Sequence, residues 1–598
     1  PRKLRQHLPL TTQTHSQTTN THPSLYRTSK ILTRTARRQH TPVPYNHTST
    51  PTRGRAHPAQ APPAHTQRRT TMTRKTTLAT AALIAAANAA NAQPFVLQHG
   101  EARESLEYGT DLTRLANGNF AYTGGLADPD LQPVRAGYTV TAAPDGTPLA
   151  SWITVDPDAI TNPGLAIRQD PNDGRFIILQ NGNIFTANPD DLVLLKLDPA
   201  ADAINWQWRY RGSNPTQAAI GMELTPETGF IAHTIESGLV PQTPALLRFA
   251  NNTGLPLFHN QYLPVNVPAA DATFVDVTLN PDTGDVFAVG TIDVDEPDTL
   301  LPGRDILIAR FDSAGNPIWF RAYDAPPPGD PTTFTTFDGV GIELDQNGDP
   351  IVTANANTQG RPTAVFHLTV NDTDGAPING RFLIADGGPL EAARSSLEPL
   401  NQQSALIAGR LTTPSGVDVP ALWAVDNNSL ALNWFWAGKA DSAAALSAIA
   451  TADLVYATGQ IDPAGRPTIG GTADALFTSL TTAGQGLCPI IPDLIQPEAP
   501  VNSLAFEVET IQLPQPNEAG LDLLRGEPVE LRACDTPNPC PGDTDGDGVV
   551  GLPDLLTVLA NFGNAVPGGP ADGDFNNNGT VDLNDLLLVL SNFGTVCP

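Results

Sequence analysis

The chain has 598 residues, with 34 Lys and Arg against 62 Asp and Glu and a formal charge of −28 at pH 7. The basic residues crowd the first 92 positions, which hold fourteen Lys/Arg and no acid. The remainder therefore keeps twenty basic against 62 acidic side chains, a formal charge of −42. So acidic a surface argues against nucleic acid and anionic membrane as partners.

Residues 1–71 combine twelve Lys/Arg and seven of the eleven His with many Thr and Pro and no acidic side chain. Too little apolar surface is present to fold. The segment reads either as a basic arm or as an upstream extension of the gene that is never translated, and the second is the expectation because Met72 opens an export signal. Arg74 and Lys75 supply the charged region, Leu78 to Ala87 the apolar core, and Ala90-Asn91-Ala92 the small-residue cleavage site. The apolar run is too short to span a bilayer, and no transmembrane segment is expected in the mature chain. Residues 72–92 are thus expected to be a signal peptide, and the mature protein to be secreted or held at the cell surface.

From 93 to 484 the chain repeats. Short apolar or alternating runs are separated by Gly/Asn/Asp turns, as antiparallel strands require. A turn such as Asp345-Gln346-Asn347-Gly348-Asp349 returns as Asn280–Asp285, Asp170–Gly174 and Leu115–Asn119. First strands are expected near Asp111, Gly164, Ile220, Val275, Val340, Arg394 and Leu446. Second and third strands recur seven times in step with them. The fourth strand carries aromatics in only six cases: Trp152, Trp206 with Trp208, Phe258, Trp319, Phe382, and Trp434 with Trp436. The seventh is predicted to be Pro94–Gln98, an N-terminal strand that completes the last unit and removes an exposed edge. The region resembles the seven-bladed repeat propellers of secreted bacterial proteins; a series of β-sandwiches is the alternative.

Residues 485–539 read as a Pro-rich connector with strands at Leu504–Glu509 and Val529–Leu531. Cys488 and Cys534 bracket it, and Cys540 and Cys597 bracket the C-terminal segment. Four Cys in an exported chain imply disulfides with three possible pairings. Cys488–Cys534 and Cys540–Cys597 are preferred because each closes one unit.

Residues 540–598 hold two copies of one pattern, 31 residues apart. Calcium takes six to eight oxygens, and a twelve-residue loop supplies them from positions 1, 3, 5, 7, 9 and 12 around a Gly at position 6. The first loop offers Asp543, Asp545, Asp547, Val549 and Asp554 around Gly548. The second offers Asp574, Asn576, Asn578, Thr580, Asp582 and Asp585 around Gly579. Val550 and Val581 stand at position 8 as apolar anchors, and an apolar helix is predicted after each loop. Two calcium ions are expected, with the first loop the tighter because it brings four carboxylates.

Asp at position 12, no helix before either loop and one helix after each resemble the type I dockerin module. The resemblance implies docking onto a cohesin-like or other surface protein. It also implies partner contacts at Leu552, Pro553, Ala560 and Asn561, and at Leu583, Asn584, Ser591 and Asn592. The Ser-Thr and Lys-Arg pairs frequent in that family are replaced here.

Beyond residue 92 the His are His99, His233, His259 and His367, in no metal or catalytic spacing. His233 and His367 read as packed. The tryptophans read as core between units rather than sugar platforms. Asp111, Asp276 and Asp338 fall near the starts of first strands, where carboxylates could support glycosidase or lyase chemistry, yet Asp is also a common turn residue, so no catalytic residue is assigned. The expected architecture is mainly β, a seven-bladed propeller followed by a small α-helical calcium-binding domain. The expected function is an exported propeller that binds a glycan or protein ligand and is tethered by its tail. A glycan-active hydrolase or lyase delivered by that tail is the alternative, and calcium serving only to stabilise the tail is a third reading.

Overall fold

The computed structural model describes residues 94–101, 106–127, 135–155, 159–161, 163–184, 191–210, 221–235, 242–265, 271–294, 303–327, 335–358, 361–385, 388–438, 443–461, 474–486, 489–490, 492, 494–519, 521–526, 528–532, 542, 544, 550–564, 573, 575 and 580–594. The predicted signal and the residues before it lie outside this set, as do all four Cys. Among the described residues no helix is long and apolar enough to cross a membrane.

The architecture is mainly β. Among the described residues, seven antiparallel four-stranded meanders follow one another along the chain. Their first strands are Leu106–Arg114, Gly164–Gln169, Met222–Leu224, Ala272–Leu279, Thr335–Leu344, Leu390–Asn401 and Ala443–Ala450. Each first strand packs against the next, and the seventh packs against the first, so the contacts close a cycle. Ile177, Ile178, Val289, Ile308 and Leu406 are fully buried, as expected of second and third strands covered on both faces. The aromatic-marked runs are indeed fourth strands, from Pro148–Val155 to Leu432–Gly438. Trp436 is buried, whereas Trp206 and Trp208 pack at the margin of the core.

The recurrent Asp/Asn–Gly turn has a simple cause. The Asp345 carboxylate accepts the N–H groups of Asn347 and Asp349 at 2.7 and 2.9 Å, and Gly348 follows at φ +86°. That left-handed backbone strains any residue with a Cβ.

Closure occurs at the seventh sheet. Val96–Glu101 pairs antiparallel with Asp474–Thr481, His99 opposite Ala475, and becomes that sheet's fourth strand. The strand overlaps the predicted Pro94–Gln98 but starts two residues later and runs to Glu101. Phe95, Tyr456 and Phe477 pack around the seam, with Phe95 and Phe477 centroids 5.4 Å apart.

The Pro-rich connector holds both expected strands, within Asn502–Gln512 and Pro528–Arg532, and among the described residues four short ones besides. It runs back around the outside of all seven sheets in reverse order. Pro489–Ile490 pairs with the fourth strand of the sixth sheet and Leu494–Ile495 with that of the fifth. Asn502–Gln512 serves two sheets: its first half pairs with Pro317–Asp324 of the fourth and its second half with Pro256–Val265 of the third. Asn517–Glu518, Asp522–Gly526 and Pro528–Arg532 then cap the second, first and seventh sheets. Every outer edge is thereby hydrogen-bonded over at least part of its length, which limits the sites where another chain would pair. Arg525 anchors this belt by lying 4.7 Å over Trp152 and reaching Asp202 at 2.7 Å.

In the tail the helices Leu552–Asn561 and Leu583–Asn592 follow the two loops. Val550, Val558, Val581 and Val589 are fully buried against one another. The copies exchange contacts reciprocally: Gly563 N–H donates to Val581 C=O and Gly594 N–H to Val550 C=O, both at 2.8 Å. Gly542 and Gly573, both at positive φ, lie against Val589 and Val558, where a Cβ would meet backbone within about 3.2 Å.

Candidate functional site

The first strands carry charge toward the centre of the cycle. Asp111, Arg168, Glu223, Asp276, Glu343 and Glu398 come from six consecutive first strands, and Ser447 from the seventh. Asp111 and Asp276 hold neighbouring sheets together. Asp111 Oδ2 accepts Ile167 N–H at 2.8 Å and Arg168 Nη1 at 2.6 Å, while its Oδ1 accepts the Ser447 hydroxyl. Asp276 Oδ2 accepts Ile342 N–H at 3.0 Å. Gly221 makes room for it, since a Cβ there would meet Asp276 Oδ1 at 2.2 Å.

Arg168 is the cation of the cluster. Its Nη2 lies 3.7 Å from Glu223 Oε1 and 3.7 Å from Glu398 Oε1. The Oε1 atoms of these two carboxyls are therefore at most about 7 Å apart. Burial opposes the charge on Arg168, but Asp111, Glu223, Glu398 and Asp276 outweigh it and hold its proton firmly.

Beside this cluster opens a cavity of about 730 Å³, bounded by Glu223, Glu343, Glu398, Arg248, Phe230 and turns of the third to sixth sheets. It has the size and mixed lining of a small-ligand site. Burial raises all three glutamates. Glu343 is pushed up to about 8, opposed by the Leu344 N–H and reinforced by the charges of Glu223 and Asp276. Glu398 is held well above the usual carboxylate range by burial, against Arg168 and with Glu223 and Glu343 adding to it. Glu223 is raised by burial and drawn back by Arg168. Carboxyls that keep a proton near neutrality can donate it, and such groups cluster where catalysis occurs.

The structure brings together two of the three aspartates singled out in the sequence, but as ties rather than as free acids. Asp338 stands apart. It pairs with Arg304 at 3.0 Å, and it precedes Glu343 by five residues, roughly 16 Å along a strand. The three glutamates went unmarked; the signal available was their recurrence at one level of successive first strands. All four histidines beyond residue 92 are buried: His233 Nε2 lies 2.9 Å from His259 Nε2, and His367 sits between Thr353 and Trp423.

In the tail, Asp543, Asp545, Asp547, Val549, Asp574, Asn576 and Asn578 lie outside the described residues, as do the four cysteines. Asp554 and Asp585, the position-12 residues, are buried. Asp554 accepts Thr544 N–H at 2.6 Å and Gly551 N–H at 2.6 Å; Asp585 accepts Phe575 N–H at 2.8 Å and Asp582 N–H at 2.9 Å. Each carboxylate is thus turned back upon the start of its own loop. Among the described residues no three His, Cys, Asp or Glu converge as metal ligands. Leu552, Leu556, Leu559 and Phe562 on the first helix, and Leu583, Leu587, Leu590 and Phe593 on the second, are about half exposed. Pro553 and Ala560 are exposed beside them, and Asn561 and Asn592 are half-buried.

No family model matches the chain, and no curated protein matches it. Among solved structures, the extracellular domains of Drosophila Semaphorin 1a are 10% identical over 65% of this chain and 88% of that one, with a TM-score of 0.38. An α-L-arabinanase of Penicillium chrysogenum is 10% identical over 53% and 92%, with a TM-score of 0.33. A putative 6-phosphogluconolactonase from Bacteroides uniformis is 12% identical over 55% and 84%, with a TM-score of 0.32. Likeness at this level assigns no chemistry.

Proposed function

We propose that this chain is an exported, glycan-active hydrolase: a seven-bladed propeller that cleaves a glycan with carboxyls in the cavity beside its axis, carried on a calcium-binding, dockerin-like tail. The cyclic order of the seven sheets supports the propeller. The observation that carries the chemistry is the convergence of Glu223, Glu343 and Glu398 on one cavity beside Arg168. Paired carboxyls in unequal surroundings are what glycosidic hydrolysis requires. The chain's formal charge and the acidic cavity wall favour a neutral sugar over an anionic one.

Reducing-end release from a panel of neutral polysaccharides tests this directly. Turnover should appear on at least one of them and fall by at least about 100-fold in Glu223→Gln and Glu343→Gln. A protein that turns over none of them is not the hydrolase proposed. A binding platform without chemistry is the second reading, favoured by the ion pairs that Arg168 makes with two of the glutamates. Saturable glycan binding without turnover would select it.

In the tail, the buried Asp554 and Asp585 fit a cation held by their loops, since each buried carboxylate already closes its loop from position 12. The half-exposed leucine and phenylalanine stripes, repeated on both helices, suit a protein partner at the surface where the chain is displayed. Calorimetric titration should find two calcium sites. Asp543→Ala should remove the tighter one and Asp574→Ala the weaker; equal losses would contradict the ranking by carboxylate count.

A further inference from the structure

We propose that, in the reaction assigned to this cavity, Glu343 gives its proton to the departing sugar oxygen while Glu223 takes a proton from the attacking water. The assignment rests on the hydrolase reading above and on the unequal partners of the cavity's glutamates. Glu223 and Glu398 both face the Arg168 guanidinium at 3.7 Å, and Arg168 is fixed from behind by Asp111 at 2.6 Å. A guanidinium stabilises a carboxylate and so favours the base, and of the two Glu223 is the more exposed and the less raised by burial. Glu343 has no such neighbour. Its Oε1 accepts the Leu344 N–H at 2.9 Å and the Thr278 hydroxyl at 3.4 Å. Its Oε2 takes no hydrogen bond among the described residues, and no basic side chain there pairs with it. A proton on Oε2 is therefore free to be given to a ligand in the cavity that Glu343 lines.

The charged groups that act on Glu343 are Glu223 and Asp276, and Glu343 in turn acts on Glu398. Glu223 and Asp276 are both carboxyls, so each adds to burial in keeping Glu343 protonated, in line with its elevated titration. The step balances. The Glu223 carboxylate withdraws one proton from water, and the water oxygen bonds to the anomeric carbon. The glycosidic C–O bond breaks with its electron pair on the departing oxygen, which takes the proton of Glu343. Solvent then restores both carboxyls.

The test compares leaving groups on the full chain. Glu343→Gln should lose about 10²–10⁴-fold in kcat on the polysaccharide, but stay near wild type on the 2,4-dinitrophenyl glycoside of the same sugar, whose leaving group needs no proton. The alkaline limb of the pH–rate profile should vanish with it, and Glu343→Asp should recover part of the rate. Glu223→Gln should lose both substrates. Cleavage of the activated glycoside also reports that the variant's site is folded. Equal slowing of both substrates by Glu343→Gln, or the leaving-group pattern appearing in Glu398→Gln instead, overturns the assignment. A wild type inert on every glycan overturns the hydrolase reading itself, and this assignment with it.

Discussion

A chain cut after Gly486 should lose on the order of 5 kcal/mol of stability and aggregate under conditions where the full chain stays soluble. The belt explains both effects. Leu504, Phe506 and Val508 pack against the core between the third and fourth sheets, and Ala519, Leu521 and Leu523 against the first and second. Apolar side chains buried or half-buried in this way contribute about 1 kcal/mol each. The cut also bares the outer edge of every sheet, including the closing strand Val96–Glu101, which the belt holds on the side away from Asp474–Thr481. Open edges recruit other chains.

Phe506→Ala offers a gentler version. It should cost about 2 kcal/mol without opening any edge, so it separates lost packing from lost edge protection. The belt begins on the sixth sheet at Pro489 and ends on the seventh at Arg532. The proposed Cys488–Cys534 pairing would turn it into a closed hoop, and a loop of that length stabilises by about 4 kcal/mol. Peptide mapping without reductant should recover the linked peptide. A cut chain as stable and soluble as the full one would show the belt to be ornamental.

The strands of the ring and two strands of the belt were legible in the sequence and the rest of the belt was not, for one reason. Periodicity shows only where a strand is long enough to repeat and buried enough to be apolar. Runs such as Val286–Asp293 satisfy both. Pro489–Ile490, Leu494–Ile495 and Asn517–Glu518 are two residues each, and they become strands because an edge awaits them. The site failed differently. First strands are interrupted by bulges, between Gly109 and Asp111, Gly164 and Ala166, Phe274 and Asp276, and Gly339 and Gly341. One extra residue reverses the alternation, so counting by twos cannot say that Arg168 and Glu343, both just past a bulge, face the centre. In the tail the spacing is covalent: the valines expected to anchor the loops are buried, and a helix is present in each copy, though it begins at position 10 of the loop, at Leu552 and Leu583, rather than after position 12.

Stability should peak near pH 6 and collapse between pH 6 and 4, well before ordinary carboxylates are protonated. Burial lowers all four described histidines: His99 and His259 to about 4, His367 to about 3, and His233 well below its ordinary value with the neighbouring His259 adding to burial. Their hydrogen bonds state the same preference. Trp423 Nε1 donates to His367 Nε2 at 3.3 Å, so that nitrogen must keep its lone pair, and the two Nε2 atoms of His233 and His259 share a single proton across 2.9 Å. A histidine lowered by folding is protonated first in the unfolded chain. Above pH 6.5 it contributes no pH dependence; as pH falls toward 4 the unfolded state takes up protons that the folded state refuses, and stability drops. Together such groups remove several kcal/mol by pH 4, a large part of the whole stability of a folded domain. The cavity glutamates act in the opposite sense. Their folded values are raised, Glu343 to about 8, so they weaken the fold progressively as pH climbs from about 4.5 toward 8 and set the alkaline side of the optimum. Denaturant unfolding at half-unit pH steps reads both limbs. On the acid limb the histidine slope exceeds the opposing slope of the cavity glutamates, and His367→Asn should reduce the net slope by about one proton. Unfolding free energies flat from pH 7 to pH 4 would mean that the buried imidazoles accept protons as readily as exposed ones, which their packing between Tyr122, Trp423 and each other forbids.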